Sequence, residues 1–293
     1  MGSDSKNNPI IWIVIVLACF NLLAWSLVFK ESPPHSLKVV FFDIGQGSSV
    51  FIETPQHAQI LIDGGPSNKI VEKLGRTMPF FDRSIDLIIS THPDFDHLAG
   101  LVEVLKSYQV EAVGSTGVKG QTAEFEEFMT KTNQEGAEKI ILKRGETIRV
   151  GRDLKIEVLA PLEDFVGREV KDYNTSSLVF KVSYGQTDFL LTGDAPVSIE
   201  KELVEIMKSD LGVEILQVGH HGSKSSTSQA WLEAVIPEIA VIQVGRDNRY
   251  GHPNQEVLER LKNYGIKILR TDEQGDIKII SNGENYELSF PQN

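Results

Sequence analysis

The pattern of apolar positions splits the chain into two unlike parts. Residues 10 to 29, IIWIVIVLACFNLLAWSLVF, carry no charge. As a helix that run spans about 30 Å, the thickness of a bilayer's hydrocarbon core. It is longer than the apolar core of a signal peptide and ends without a small-x-small cleavage site, so it predicts a single membrane anchor. Val16-Leu17-Ala18-Cys19 loosely resembles a lipoprotein cleavage box. Cutting there would leave FNLLAWSLVF at the new terminus, which disfavours lipidation. Lys6 and the α-amino group precede the run, and Lys30 follows it. From this near balance we expect a single-pass protein of the cell membrane, with residues 1–9 inside and the large domain outside. Pro33 and Pro34 mark a linker over 30–36.

From 37 to 293 the pattern changes to short apolar runs alternating with helical spacing. Segments 37–43, 50–53, 59–63, 85–90, 110–113, 139–142 and 154–159 read as strands, rich in Val, Ile and Phe and bounded by turn residues. Segments 69–75, 97–108 and 122–133 have helical spacing. Further on, 177–183 and 187–192 predict a hairpin around Tyr184-Gly185-Gln186. Strands at 215–218, 239–244 and 267–269 then alternate with helices at 196–208, 228–234 and 255–264. Strands followed by helices in two halves predict a two-sheet core with helices on its outer faces.

Composition narrows this picture. The 293 residues hold 29 Lys+Arg against 41 Asp+Glu, a net charge of −12, which argues against a broad basic surface that coats nucleic acid. A polyanion touched only at a local site stays open. The single cysteine, Cys19, excludes a disulfide framework and any Cys-rich zinc module. It lies inside the apolar run, so the domain at 37–293 has no thiol ligand.

The informative polar segment is Ser90-Thr91-His92-Pro93-Asp94-Phe95-Asp96-His97, where an apolar strand ends and four candidate metal ligands follow within six residues. Imidazole and carboxylate together suit a divalent cation such as zinc or manganese. A polar helix cap, with Asp96 as N-cap, needs one acceptor and not four ligands. Asp63 and Asp194 end apolar strands in the same way, and Asn174 opens one. The loops Gly219-His220-His221-Gly222-Ser223-Lys224-Ser225-Ser226 and Tyr250-Gly251-His252-Pro253 complete the set. Five of the seven histidines fall in these three loops, which is the main argument for a metal site. Ser223, Lys224 and Ser226 offer hydroxyls and one cation to a phosphate; a Ser-rich linker is the plainer alternative.

These segments resemble the metallo-β-lactamase superfamily and, within it, the extracellular hydrolase domain of the ComEC family of competence proteins. The resemblance runs from about 37 to 281. It rests on Phe42-Asp43-Ile44-Gly45-Gln46-Gly47, Leu61-Ile62-Asp63-Gly64-Gly65, the His92 to His97 segment and Asn174-x-Ser176-Ser177-Leu178-Val179. It continues through Leu191-Thr192-Gly193-Asp194, the His220-His221 loop, Tyr250-Gly251-His252-Pro253 and Arg270-Thr271-Asp272-x-x-Gly275. What it implies is an αβ/βα sandwich with one or two divalent metal ions at one end of its sheets. His92 and Asp94 would hold one metal, Asp96 and His97 the other, and Asp194 would bridge them. His221, and less directly His220 and His252, would complete or border the site. Asp63 would orient a ligand, Asp96 or Asp94 would accept a proton from the attacking water, and Gln46 would help hold substrate phosphate.

Four positions depart from the family's pattern. Asp94 stands where a second His is usual, and Asn174 where a ligand His is frequent; both make the set richer in oxygen and tilt the metal from zinc toward manganese. Ser48 and Ala99 replace a common acidic residue and a common Gly. The multi-helix channel of ComEC is not expected over these residues, since the sequence shows one apolar run of spanning length. The resulting expectation is a membrane-anchored, metal-dependent phosphodiesterase or nuclease acting on DNA outside the membrane, with a channel protein as partner. The rivals are the same fold hydrolysing a cyclic nucleotide, lactone or lactam, and a catalytically silent module that binds DNA or a competence partner.

Overall fold

The computed structural model describes residues 9–28 and 36–291. Pro9–Val28 is one helix of 20 residues, α1. Side chains are described for 12–21 of it, and over the described residues no helix is long and apolar enough to cross a membrane. The anchor expected over 10–29 therefore rests on the sequence. Of the tail expected at 1–9 and the linker expected at 30–36, residues 1–8 and 30–35 lie outside the described residues, as does residue 29.

The domain begins with β1 (Leu37–Phe41), β2 (Val50–Glu53) and β3 (Gln59–Ile62), followed by α2 (Lys69–Thr77), β4 (Ser84–Ile89) and α3 (Phe95–Ser107). Next come β5 (Gln109–Ser115), α4 (Ala123–Glu135), β6 (Glu138–Ile141), β7 (Thr147–Val150) and β8 (Leu154–Ala160). The hairpin β9 (Val179–Tyr184) and β10 (Thr187–Leu191) leads to α5 (Val197–Met207), β11 (Ile215–Gln217), α6 (Gln229–Val235) and β12 (Ile239–Ile242). The chain finishes with α7 (Gln255–Asn263), β13 (Lys267–Arg270), α8 (Thr271–Gln274), β14 (Ile277–Ser281) and β15 (Tyr286–Ser289). One sheet has the order β15-β14-β1-β2-β3-β4-β5-β6 and the other β13-β12-β11-β10-β9-β8-β7.

The two-sheet core with outer helices is what the pattern predicts. Side chains alternate along each strand: Val39 and Phe41 point between the sheets, where they meet Phe180 and Phe189, whereas Val40 and Phe42 pack under α2 and α3 with Leu74 and Leu101. On the far face Leu190, Leu216 and Ile242 pack against Leu203, Trp231 and Leu261 of α5, α6 and α7. Each such buried side chain contributes about 1.5–3 kcal/mol.

Three strands go beyond the sequence reading. β7 is a half-exposed edge with alternating polar residues, so it lacks the continuous apolar run that marks a central strand. β14 pairs with β1, joining the last part of the domain to its first; nothing local signals so distant a partner. β15 extends that edge. Asn174 opens no strand: it sits in a short 3-10 turn, Tyr173–Ser176, and β9 begins at Val179.

The parallel strands position the site. β3, β4 and β5 run the same way, as do β10, β11 and β12. The loops after β3, β4, β10 and β11 carry Asp63, His92 to His97, Asp194 and the His220-His221 pair. They meet at one end of the sandwich, where Leu178 N–H donates to the Thr91 carbonyl of the other sheet at 3.1 Å.

Candidate metal centre

The first half of the site is built around Asp63. Its backbone takes a left-handed φ of 59°, which turns the chain sharply at the end of β3 and costs strain in any residue but glycine. Its carboxylate accepts from Thr91 N at 2.8 Å, from Thr91 Oγ1 at 2.7 Å and from His97 Nδ1 at 2.7 Å. The His97 ring is thereby locked with Nε2 pointing away from Asp63. Thr91 Oγ1 also lies 2.9 Å from His92 Nδ1. Since its proton goes to Asp63, that oxygen accepts from His92, which leaves His92 Nε2 as a lone pair. Gly64 and Gly100 let the α3 end approach: a Cβ on Gly100 would meet Gly64 O at 1.9 Å.

The helix cap does not compete for these ligands. α3 starts at Phe95, its N-cap is Asp94 and not Asp96, and no side-chain cap bond forms there. Asp94 Oδ2 instead lies 3.3 Å from His92 Nε2, with the side chain 40% exposed.

The second half hangs on the other sheet. Asp194 follows Gly193, whose φ is +49°, and is buried with Oδ1 3.2 Å from His97 Nε2 and Oδ2 3.6 Å from His221 Nε2. His220 and His221 both hold left-handed backbone, φ 49° and 55°, of a kind that costs about 1–3 kcal/mol per residue and clusters at functional sites. His221 Nδ1 donates to the Gln243 carbonyl at 2.9 Å, so its Nε2 too faces inward, 3.3 Å from Asp96 Oδ2.

The outcome is a set of buried polar atoms with no hydrogen-bond partner: Nε2 of His92, His97 and His221, and Oδ1 of Asp194. Buried polar groups are rarely left unpaired without reason. Two overlapping triads could hold a cation, His92–His97–Asp194 and Asp96–His97–His221, with ligand atoms within 4.8 Å of one another in each. Charge leads to the same conclusion. Burial pushes Asp194 up, but His97 and His221 outweigh it and hold its carboxyl well below the usual range. Burial opposes the charge on His97 as well, yet Asp194 and Asp63 raise its pKa well above that of a free imidazole. Asp96, against its own burial, is brought to about 2, chiefly by the His221 imidazole beside it. The pocket demands positive charge, and a divalent cation satisfies that demand while using the free lone pairs.

Residues 42–246 match the Metallo-beta-lactamase superfamily. The chain belongs to this superfamily. Among its relatives, ComE operon protein 3 of Bacillus subtilis (strain 168) is 34% identical over 260 residues, which is 82% of this chain and 32% of the relative. Competence protein ComA of Neisseria gonorrhoeae is 33% identical over 271 residues, 91% of this chain and 35% of that protein. The chain thus spans about a third of the length of these curated relatives. A solved structure of Igni18, a metallo hydrolase from the archaeon Ignicoccus hospitalis, shares the fold at 13% identity with a TM-score of 0.54, covering 83% of this chain and 98% of that one.

The remaining residues singled out in the sequence fall into three groups in this metallo-β-lactamase frame. His220 and His252 form an outer rim with rings 5.9 Å apart; His220 Nε2 reaches within 3.7 Å of Asp194, and burial followed by His220 and His221 keeps His252 below its ordinary range. Asn174 is half-buried with Oδ1 unpaired, three residues before Ser177, whose hydroxyl lies 3.3 Å from His92 Nδ1. Gln46 accepts from Gly245 N at 3.2 Å.

The Ser-rich loop is a lash more than a cradle. Ser226 is fully buried and donates to the Ala195 carbonyl at 2.8 Å, which corrects its assignment to substrate phosphate. Ser223 is paired with Ser225 at 2.9 Å, while Lys224 is exposed. Sequence reasoning missed Thr91, Gln217 and Gln243. Gln217 Oε1 accepts from Thr192 N at 3.0 Å, and its Nε2 donates to Gln243 Oε1 at 2.9 Å. Gln243 Nε2 donates onward to Ser49 O at 2.7 Å, and Ser49 Oγ donates to Asp63 O at 2.8 Å. This buried relay crosses from the Asp194 loop to Asp63. The sequence signal was there in outline, a polar residue ending each of two apolar strands.

Proposed function

We propose that the protein is a membrane-anchored, metal-dependent phosphodiesterase that cuts DNA outside the membrane. The observation that carries the hydrolase reading is the convergence of three inward Nε2 lone pairs and Asp194 in a buried pocket, each imidazole fixed through its other nitrogen. The competence proteins among its relatives support DNA as the substrate and a channel protein as partner. The uncharged apolar run of the sequence over 10–29 supports the anchor.

His92 and Asp194 would hold one cation and Asp96 with His221 the other. His97 belongs to both sets, but its one lone pair can serve only one of them. With Asp94 at the rim the donor set is rich in oxygen, which favours manganese over zinc. Divalent cations there would acidify water and stabilise the charge that develops on phosphoryl oxygens. The chain's own residues then have distinct tasks. Asp63 and the Gln243 carbonyl hold the imidazoles in one tautomer. Asp94, partly exposed and next to His92, is placed to accept a proton. Lys224 stands on the rim as a cation for a phosphate of the incoming strand.

The test is metal analysis of the purified full chain, followed by cleavage of single-stranded DNA with manganese or zinc. Bis(p-nitrophenyl) phosphate, a chromogenic lactam and an Asp96→Ala control run beside it. One or two bound ions and metal-dependent DNA cleavage, abolished in Asp96→Ala, are expected. A chain that binds no metal and cuts no phosphodiester sinks the proposal, and a preference for the lactam reassigns the substrate.

A further inference from the structure

The end of the domain opposite the metal centre carries an unusual set of side chains. Outside α1, and among the described residues, three large hydrophobic residues stand well clear of the rest in exposure: Phe80 at 84%, Ile236 at 75% and Phe81 at 70%, with Tyr250 next at 54%. The Phe80 and Phe81 rings pack edge to face at 5.4 Å. Ile236 has a φ of 47°, a conformation that a β-branched residue adopts only under strain. A strained backbone that places an apolar side chain in water calls for a partner.

Strand direction shows that all three share one end. β1 begins at Leu37, next to Ser281 of β14. β2 runs back from Val50 to Glu53 beside Lys38, and β3 and β4 then start at that same end. Phe80 and Phe81 immediately precede β4. On the second sheet Thr187 Oγ1 lies 2.7 Å from Ser281 Oγ, so β10 also starts there, as does the parallel β12 that Ile236 precedes. The chain enters the domain at this end: only eight residue steps separate Val28 of α1 from Ser36, a reach of at most about 28 Å.

We infer that this face lies on the lipid bilayer, with Phe80, Phe81 and Ile236 immersed in the headgroup–acyl boundary. The inference rests on reading 10–29 as the anchor. Large exposed apolar residues gathered at one end of the domain, beside both sheets, mark an interaction site, and the short tether commits the occupant to the membrane surface. Apolar side chains at such a surface sink about 5–10 Å below the headgroups. With strands of about 10–20 Å rising from that end, the metal centre is held facing away from the membrane, toward a polymer arriving from outside.

The test uses the full chain reconstituted in phosphatidylcholine vesicles. In a Cys19→Ser background, Phe80→Cys, Phe81→Cys, Ile236→Cys and, at the opposite end, Phe290→Cys each carry a nitroxide label. The first three labels should be open to oxygen and shielded from a water-soluble nickel chelate, and the label at 290 should show the reverse. These exposed positions tolerate substitution, and circular dichroism checks that each variant is folded. Vesicle-bound protein with labels 80, 81 and 236 open to nickel overturns the inference and leaves the anchor standing. Protein that fails to float with vesicles overturns both. Shielding from nickel and oxygen alike, with cross-links between copies, assigns the face to protein contact and overturns the lipid assignment.

Discussion

The two sheets hold their shares of the metal centre by different means. The first sheet uses one carboxylate: Asp63 fixes Thr91, His97 and, through Thr91 Oγ1, His92, all within direct hydrogen-bond reach. The second sheet uses strained backbone and a relay. His220 and His221 sit in left-handed conformations, while Gln217 and Gln243 lock the Asp194 loop and supply the carbonyl that orients His221. A site assembled across two sheets needs its halves in register. Here a single side chain organises one half, and backbone geometry with buried amides organises the other.

His97 is where the halves meet, so its loss should have the largest effect. His97→Ala removes the one lone pair that both triads compete for. Metal content measured by inductively coupled plasma spectrometry should fall by about one ion per chain, with phosphodiester cleavage at background. Retention of two ions would break the view that His97 joins the halves. Asp63→Asn comes next. An amide cannot accept all three bonds, and its NH2 must face a donor, so manganese affinity by calorimetry should fall about 10–100-fold.

Gln243→Leu asks whether the relay matters as much as the carboxylate. It strips acceptors and donors from Gln217, Phe42 and Ser49 but keeps the carbonyl that orients His221. We expect about 1–3 kcal/mol of lost stability from the unpaired buried groups, with a loss of metal affinity near tenfold. Gln243→Glu keeps the acceptor for Gln217 but turns a carboxylate oxygen toward the Phe42 and Ser49 carbonyls, so it should not restore the affinity. If Gln243→Leu instead weakens metal binding as much as Asp63→Asn, the halves are equally dependent on side-chain organisation.

The contrast also explains what was legible in the sequence. The first half is compact along the chain: His92, Asp94, Asp96 and His97 cluster at one strand end, and residue type alone marks them. Strand and helix periodicity located the central elements, because each buries a continuous face. The relay was not legible, since Gln217 and Gln243 are 26 residues apart and Gln243 meets Phe42 across 201. A glutamine ending an apolar strand is a weak signal until folding supplies its partners. β14 was hidden for the same reason, and Ser226 misled because a buried serine and a phosphate-binding serine look alike in a sequence.

That last distinction gives the smallest and most discriminating effect. Ser226 lashes its loop to the Ala195 carbonyl beside Asp194, and the same loop is tied down by Glu200, which accepts from the Thr227 and Ser228 amides. Ser226→Ala should therefore cost about 1 kcal/mol of stability, read by urea denaturation, with KM for the phosphodiester unchanged. Lys224→Ala, at an exposed position two residues away, should do the opposite: unchanged stability and a severalfold higher KM that shrinks as salt rises, because an exposed cation acts by screened attraction. If Ser226→Ala raises KM without loosening the fold, the loop is a phosphate cradle after all, and the second half of the site reaches further toward substrate than its hydrogen bonds indicate.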